Sequence, residues 1–264
     1  MTILLVAFIL GRFGKKIIER LVRGGVKNGV KEAVEKRQKT LARIFTAGLK
    51  IPIWLVAIMM VLSELGLNIG PILAGAGLLG VALGFGAQWM VRDFLAGIFI
   101  VMENQYRVGD VVCLDNTCGF VEDITLRKTI MRDLDGKVMH IPNGSFKIAS
   151  NLTHGYSRAH LNISVSYKED IDRVMGIINR VGKEMAGESP WKEDILKPIQ
   201  VVGPGPNNFL DSGVEIKVLG ETKPSKQWDV MREFRRRVKK TFDKEGIEIP
   251  FPQMSVWPRG KWEK

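Results

Sequence analysis

The 264 residues allow one or two domains, with 45% hydrophobic and 25% charged residues and a net charge of +11. A strongly basic chain with long apolar runs suggests either a membrane protein with cytoplasmic Lys/Arg or a nucleic-acid binder, and position decides between them. Residues 1–106 hold 13 Lys/Arg and 6 Asp/Glu, against 26 and 22 in residues 107–264. Most of the excess lies beside the apolar runs, which favours membrane topology over nucleic acid.

Met1–Gly11 is apolar but too short to cross a bilayer unaided, and it lacks the basic leader and small-residue cleavage site of a secretory signal. It reads as the inner end of a first transmembrane helix within residues 1–30. That helix either continues through Arg12 and Phe13, with basic side chains reaching toward the headgroups, or lacks its outer part. Residues 12–43 carry 11 Lys/Arg against Glu19, Glu32 and Glu35, which predicts a cytoplasmic loop. A second span is expected over 41–67, around the uncharged core Ile51–Ser63, with Pro52 and Trp54 near its inner end. The turn Leu67–Pro71 is then external, and a third helix over 69–102 returns to the cytoplasm.

That third helix organises the chain. No charged residue occurs from Leu65 to Val91, 27 positions in all. A helix of that length runs about 40 Å, more than the roughly 30 Å hydrocarbon core of a bilayer. It is unusually rich in glycine, which costs about 1 kcal/mol per residue relative to alanine inside a helix. In membranes the usual reason is close helix–helix approach. On a wheel with Gly77 at zero, Gly80, Gly84 and Ala87 fall on one face between about 280° and 360°. Gly75, Ala82 and Gly86 fall on another, between about 140° and 180°. Ala74, Leu78, Val81 and Phe85 lie between the two flanks. A helix with two small-residue flanks can pack against a left and a right neighbour, and such a heterologous contact repeated by rotation closes a ring. The stripe between the flanks then faces the axis as an apolar constriction of the kind that blocks ions by dewetting. The wheel alone also allows a plain transmembrane helix whose glycines serve one intramolecular seam. Gly75-Ala-Gly77-Leu-Leu-Gly80 spells the dinucleotide fingerprint by accident, because no strand precedes it and no acidic residue follows at the required distance.

Arg92 and Asp93 end the uncharged stretch. From Trp89 to Met102 the helix is amphipathic, with Phe94, Leu95, Ile98 and Phe99 as its apolar part. This segment either lies along the membrane surface or caps the soluble domain, and a bend is plausible just after Gln88.

Residues 107–151 read as short strands. Val108-Gly109-Asp110 starts one, Asp115-Asn116-Thr117 turns it and Gly119–Ile124 returns. Leu126–Arg132 and Lys137–Ile141 flank Asp135-Gly136, a strong hairpin signal. From residue 160 the pattern is β-α-β-β-α-β, the split β-α-β plan. Leu161, Ile163, Val165 and Tyr167 alternate, Asp170–Ala186 is helical, and Ile199–Val202 is a short strand before the loop Gly203–Pro206. Val214, Ile216 and Val218 alternate again. Lys226–Glu245 is a helix with core positions Met231, Phe234, Val238 and Phe242, and Met254–Trp257 is a final short strand. The basic run Arg235-Arg236-Arg237 with Lys239 and Lys240 sits opposite that core stripe, and the strand positions lack the stacking aromatics of an RNA-binding sheet, so it reads as a solvated helix face.

Cys113 and Cys118 have no zinc-site spacing and read as small strand and turn residues kept reduced in the cytosol. His140, His154 and His160 form no i, i+4 pair. No paired carboxylates, metal spacing or nucleophile–base constellation marks an enzyme.

These residues together resemble the MscS family of small-conductance mechanosensitive channels. The carrying motifs are Gly77-Leu-Leu-Gly80-Val-Ala-Leu-Gly84-Phe-Gly-Ala-Gln88, Phe94-Leu-Ala-Gly97, Val108-Gly109-Asp110, Asp135-Gly-Lys137, Ile141-Pro-Asn-Gly144 and Ile249-Pro-Phe-Pro-Gln-Met254. Their order and spacing run from about residue 41 to 257. The resemblance implies a multi-pass homoheptamer in the lipids of the bacterial inner membrane, needing no cofactor and no nucleic acid. Its transmembrane part would occupy 1–106, a small Sm-like β domain 107–155, and an α+β ferredoxin-like cytoplasmic domain 156–264, ending in a short barrel-forming strand. Membrane tension would open it, releasing ions and small osmolytes on hypo-osmotic shock. The family's two apolar gate rings fall on Val81 and Phe85, where better-known members have leucine, with Ala74, Leu78 and Gln88 also lining the pore. The family's hinge glycine follows the glutamine, whereas here Trp89 follows Gln88, so the bend is placed loosely over Gly84, Gln88 and Trp89. The alternatives are a ligand-modulated channel of the same family, or a non-conducting membrane-anchored scaffold or nucleic-acid-binding oligomer.

Overall fold

The computed structural model describes residues 2–25 and 31–254. The chain divides into two compact units, Met1–Ala87 and Gln88–Lys264.

In the first unit, α1 (Thr2–Gly25) and α2 (Lys31–Glu64) pack side by side, and they are followed by α3 (Gly70–Met102). The α1–α2 seam is built on small residues: Ala7 and Ala57 are buried, and a Cβ on Gly14 would collide with Leu49. α2 starts ten residues before the expected position, so the basic segment read as loop is helical from Lys31. Ion pairs one turn apart explain this, Glu32 with Lys36 at 2.7 Å and Glu35 with Lys39 at 2.8 Å, since oppositely charged i, i+4 partners support an exposed helix. α2 ends where Gly66 takes φ +80°. Its N–H donates to the Ser63 carbonyl, and that of Leu67 to the Leu62 carbonyl, the paired bonds of a Schellman ending. Residues 26–30, part of the first-helix expectation, lie outside the described residues.

The second unit holds two sheets. The first has the order β4-β3-β2-β1-β5, from β1 (Val111–Leu114), β2 (Thr117–Ile124), β3 (Lys128–Arg132), β4 (Val138–Pro142) and β5 (Ala149–Asn151). All its neighbours are antiparallel. Gly136, at φ +83°, turns β3 into β4 as the Asp-Gly signal required. The core of this sheet is Val112, Leu114, Val121 and Met131, joined by Tyr106 and by Ile100 from the end of α3.

The second sheet has the order β6-β9-β7, from β6 (Ser157–Val165), β7 (Ile195–Val201) and β9 (Gly213–Thr222), with β8 (Asn208–Leu210) folded back on β9. α4 (Ile171–Gly187) and α6 (Gln227–Glu245) cover it, and α5 (Trp191–Asp194) is a single turn before β7. Asp170 caps α4, its Oδ1 accepting from the Asp172 and Arg173 amides. Phe234, Val238 and Phe242 of α6 are buried as their spacing predicts, while Met231 is partly buried. The placement of β9 between β6 and β7 is the split β-α-β arrangement.

Several local expectations are corrected. β7 begins at Ile195 rather than Ile199, and β8 was not foreseen beyond the Gly-Pro loop. Tyr167 is exposed because β6 ends at Val165, and its ring stacks on Phe209 while its hydroxyl donates to the Leu210 carbonyl. Met254 lies outside any strand, and the rest of the expected final strand lies outside the described residues. Cys113 and Cys118 are joined in a disulfide rather than held as thiols. The reason is the hairpin itself: Leu114 and Thr117 flank its two-residue turn, which places Cys113 opposite Cys118 at the next, closely spaced pair.

The basic run on α6 is largely paired. Arg236 and Arg237 both bond the Glu233 carboxylate, Arg237 also reaches Glu188 at 2.7 Å, and Lys239 pairs with Asp243.

Candidate functional site

The glycine-rich half of α3 is apolar and unpartnered within its unit. Ala74, Gly75, Gly77, Leu78, Gly80, Val81, Ala82, Gly84, Phe85, Gly86 and Ala87 are all exposed, as are Gln88 and Trp89. Leu78 is 75% and Phe85 70% accessible. A Cβ built on Gly75, Gly77, Gly80, Gly84 or Gly86 meets no atom within 4 Å. An intramolecular seam therefore does not explain these glycines. The helix continues without interruption through Gly84, Gln88 and Trp89.

The other half of α3 is held differently. Asp93, Gly97 and Ile100, spaced three and four apart, are its buried residues, and they seat it on the first sheet. The segment thus caps the first sheet, and the face that does so is not the apolar one singled out from sequence: Phe94, Leu95, Ile98 and Phe99 remain exposed. Asp93 is 6% exposed, its Oδ1 accepting from the Gly144 amide at 3.1 Å and its Oδ2 lying 3.9 Å from the Arg127 guanidinium. Arg92 lies over the Trp89 ring at 4.2 Å. Gly144 must be small, since a Cβ there would press on Arg92 and Asp93 at 2.9 Å. Gly97 must be smaller still, because a Cβ would collide with the Leu126 carbonyl oxygen.

Beneath Gly97 runs a buried polar chain. The Tyr106 and Thr129 hydroxyls share a hydrogen bond at 2.9 Å, and Thr129 donates to Asn143 Oδ1 at 2.9 Å. Asn143 Nδ2 in turn donates to the carbonyls of Thr125 and Leu126. Asn143 is 2% exposed with its groups matched, and burial pushes the Tyr106 phenol above its ordinary value despite the Thr129 bond. Pro142-Asn143-Gly144 is thus the seat of α3: Asn143 fixes the loop that Gly97 touches, and Gly144 receives Asp93. The motif's spacing alone does not disclose this role.

Among the described residues no group of three or more His, Cys, Asp or Glu side chains could hold a metal ion. Among the same residues two helices, Val34–Glu64 and Gly70–Met102, are long and apolar enough to cross a membrane.

Comparison with known proteins matches three consecutive family models to the chain. Residues 48–88 match mechanosensitive ion channel transmembrane helices 2/3, 90–154 its beta-domain, and 159–249 the MscS C-terminal region. The fold and these matches define a member of a mechanosensitive ion channel family, with helices of the kind that cross a membrane. The small-conductance mechanosensitive channel of Caldanaerobacter subterraneus subsp. tengcongensis is 32% identical over 96% of this chain and 88% of its own. The moderate conductance mechanosensitive channel YbiO of Escherichia coli is 34% identical over 84% of this chain, which corresponds to 30% of that longer protein. The closed-state crystal structure of Helicobacter pylori MscS shares the fold, with TM-score 0.71 at 22% identity, covering 98% of this chain and 99% of that one. The chain belongs to the MscS family.

Proposed function

We propose that the protein is a tension-gated channel whose pore is lined by α3. The supporting observation is the half of that helix from Gly70 to Ala87: uncharged throughout, with empty space over each glycine from Gly75 to Gly86, it needs neighbours that one protomer does not supply. Copies of the chain satisfy that need. Gly77, Gly80, Gly84 and Ala87 of one helix pack against Gly75, Ala82 and Gly86 of the next, closing a ring, and the family resemblance supports seven copies in it. Ala74, Leu78, Val81, Phe85 and Gln88 then face the axis, with Val81 and Phe85 as the dewetted gate. Tension favours whichever state occupies more membrane area, and it moves the equilibrium only because the two states differ in that area. A bend at Gly84, Gln88 or Trp89 would let the gate half tilt while Asp93, Gly97 and Ile100 stay seated. In this reading residues 1–106 form the transmembrane domain in the bacterial inner membrane. The β domain 107–155 and α+β domain 156–264 stand in the cytoplasm, and the channel releases ions and small osmolytes on hypo-osmotic shock.

Patch recording of the purified protein in liposomes under stepped suction tests this. Stepwise currents that rise with tension and vanish in protein-free patches are expected, and Val81→Ser or Phe85→Ser should hydrate the constriction and leak at rest. Silence up to patch rupture from a verified inserted ring would overturn the tension-gated reading. Serine variants that assemble and stay shut would overturn the gate assignment.

A further inference from the structure

We propose that Cys113–Cys118 is a reversible thiol–disulfide site whose state sets how firmly the β domain holds the end of α3. The two cysteines face each other across the β1–β2 hairpin and are bonded. Cys113 lies between Val112 and Leu114, both buried in the cluster that receives Ile100 of α3. The turn they enclose is tied to Lys147 and Ile148, the residues that lead into β5 on the other side of β1. The Asp115 amide donates to the Ile148 carbonyl at 2.9 Å, and Asp115 Oδ1 accepts from the Lys147 and Ile148 amides at 3.1 and 3.0 Å. Closing the hairpin covalently therefore restrains the strand that supplies two of the core contacts to α3, as well as the turn itself.

The two cysteines are not equivalent. Cys118 is exposed and Cys113 half-buried, which directs exchange to Cys118. A thiolate of a dithiol reductant attacks the Cys118 sulfur, breaks the Cys113–Cys118 bond and releases Cys113 as thiolate. The reductant's second thiolate then displaces Cys118 and leaves as its own internal disulfide. The reductant gives up two electrons, and the two cysteines take them up with two protons. Disulfide exchange with an oxidised glutathione-type thiol runs the site back through a mixed disulfide. A cross-link this short removes few conformations in absolute terms, but all of them belong to the hairpin that it closes.

The test uses the full chain in liposomes, reduced with dithiothreitol, re-oxidised with glutathione disulfide, and labelled with maleimide for mass measurement. Two thiols should appear together on reduction and disappear together on oxidation. Cysteines that remain thiols under glutathione disulfide, or a disulfide untouched by excess dithiothreitol, would overturn the site. On reduction, amide hydrogen exchange over residues 111–124 should quicken roughly tenfold or more, with Cys113→Ser/Cys118→Ser matching the reduced protein. Unchanged exchange would overturn the restraint. The effect on gating rests on the channel reading. The tension threshold should differ between the two redox states of the parent protein, and it should not respond to redox in the double variant. Equal thresholds would overturn the coupling to α3. Absence of current in both states, with labelling and exchange as expected, would instead count against the channel reading and leave the redox site standing.

Discussion

One helix contains glycines of two kinds. From Gly75 to Gly86 every glycine looks into open space, whereas Gly97 lies against the Leu126 carbonyl with no room for a methyl group. Both halves of α3 give up about 1 kcal/mol of helix propensity at each glycine relative to alanine. At Gly97 the compensation is visible inside the chain: the Asp93 bond to Gly144, the burial of Ile100 and close contact with the loop that Asn143 holds. In the other half nothing in the unit compensates, and in the proposed channel the return comes from contacts between copies. On the proposed reading, the difference separates residues that hold a protomer together from residues that hold an assembly together.

The largest expected effect breaks the comparison if it fails. Gly97→Leu should destabilise the domain from Gln88 onward by about 3 kcal/mol or more, because the new side chain must displace backbone rather than a flexible side chain. Gly84→Leu should leave the unfolding of that domain within about 0.5 kcal/mol of the parent while disrupting the ring. Denaturant unfolding in detergent, followed on both variants, reads the first quantity, and native mass measurement reads the second. Equal loss of domain stability in both would mean that the two kinds of glycine are one kind.

The seat itself shows what a sequence conceals. Its glycine-rich neighbour was legible, because a long uncharged run and two small-residue flanks are properties of one helix and need no partner to be recognised. The split β-α-β order was legible for the same reason, since Phe234, Val238 and Phe242 mark a buried stripe by spacing alone. Asp93 was not legible: a carboxylate after an apolar run reads as solvent-facing, and its partner Gly144 lies 51 positions away. The helical start at Lys31 was missed because a cluster of lysines and arginines reads as loop until its glutamates are paired one turn apart. The disulfide depends on the length of one turn. The expected turn Asp115-Asn116-Thr117 is one residue longer than the observed one, and it is the shorter turn that places Cys113 opposite Cys118.

A smaller effect sharpens the same comparison at Asn143. Asn143→Ala removes an acceptor from Thr129 and a donor from two carbonyls in a buried place, and should cost about 2 kcal/mol. The loss should fall on the seat, so hydrogen exchange should quicken around residues 93–100 as well as 125–131. Exchange unchanged over 93–100 would show that the polar chain supports the sheet without supporting α3.

The smallest effect separates the halves by pH. No ionisable side chain occurs from Gly70 to Val91, so alkali has nothing to titrate there. The seat contains Tyr106, whose phenol is raised above its ordinary value by burial. For a group raised in the folded state, the folded chain binds its proton more tightly than the unfolded chain does. The associated stability is therefore fully present below the unfolded value of about 10, and is lost as pH rises through the folded value. One group changes stability by at most about 1.4 kcal/mol per pH unit, so the effect is a modest slope beginning above pH ~10. Tyr106→Phe should flatten that slope, at the expense of the Thr129 bond and so of some stability at neutral pH. Unfolding midpoints of parent and variant between neutral and alkaline pH give the comparison directly. If the two curves stay parallel, the alkaline loss belongs to other groups, and the buried chain beneath Gly97 holds α3 through its neutral hydrogen bonds alone.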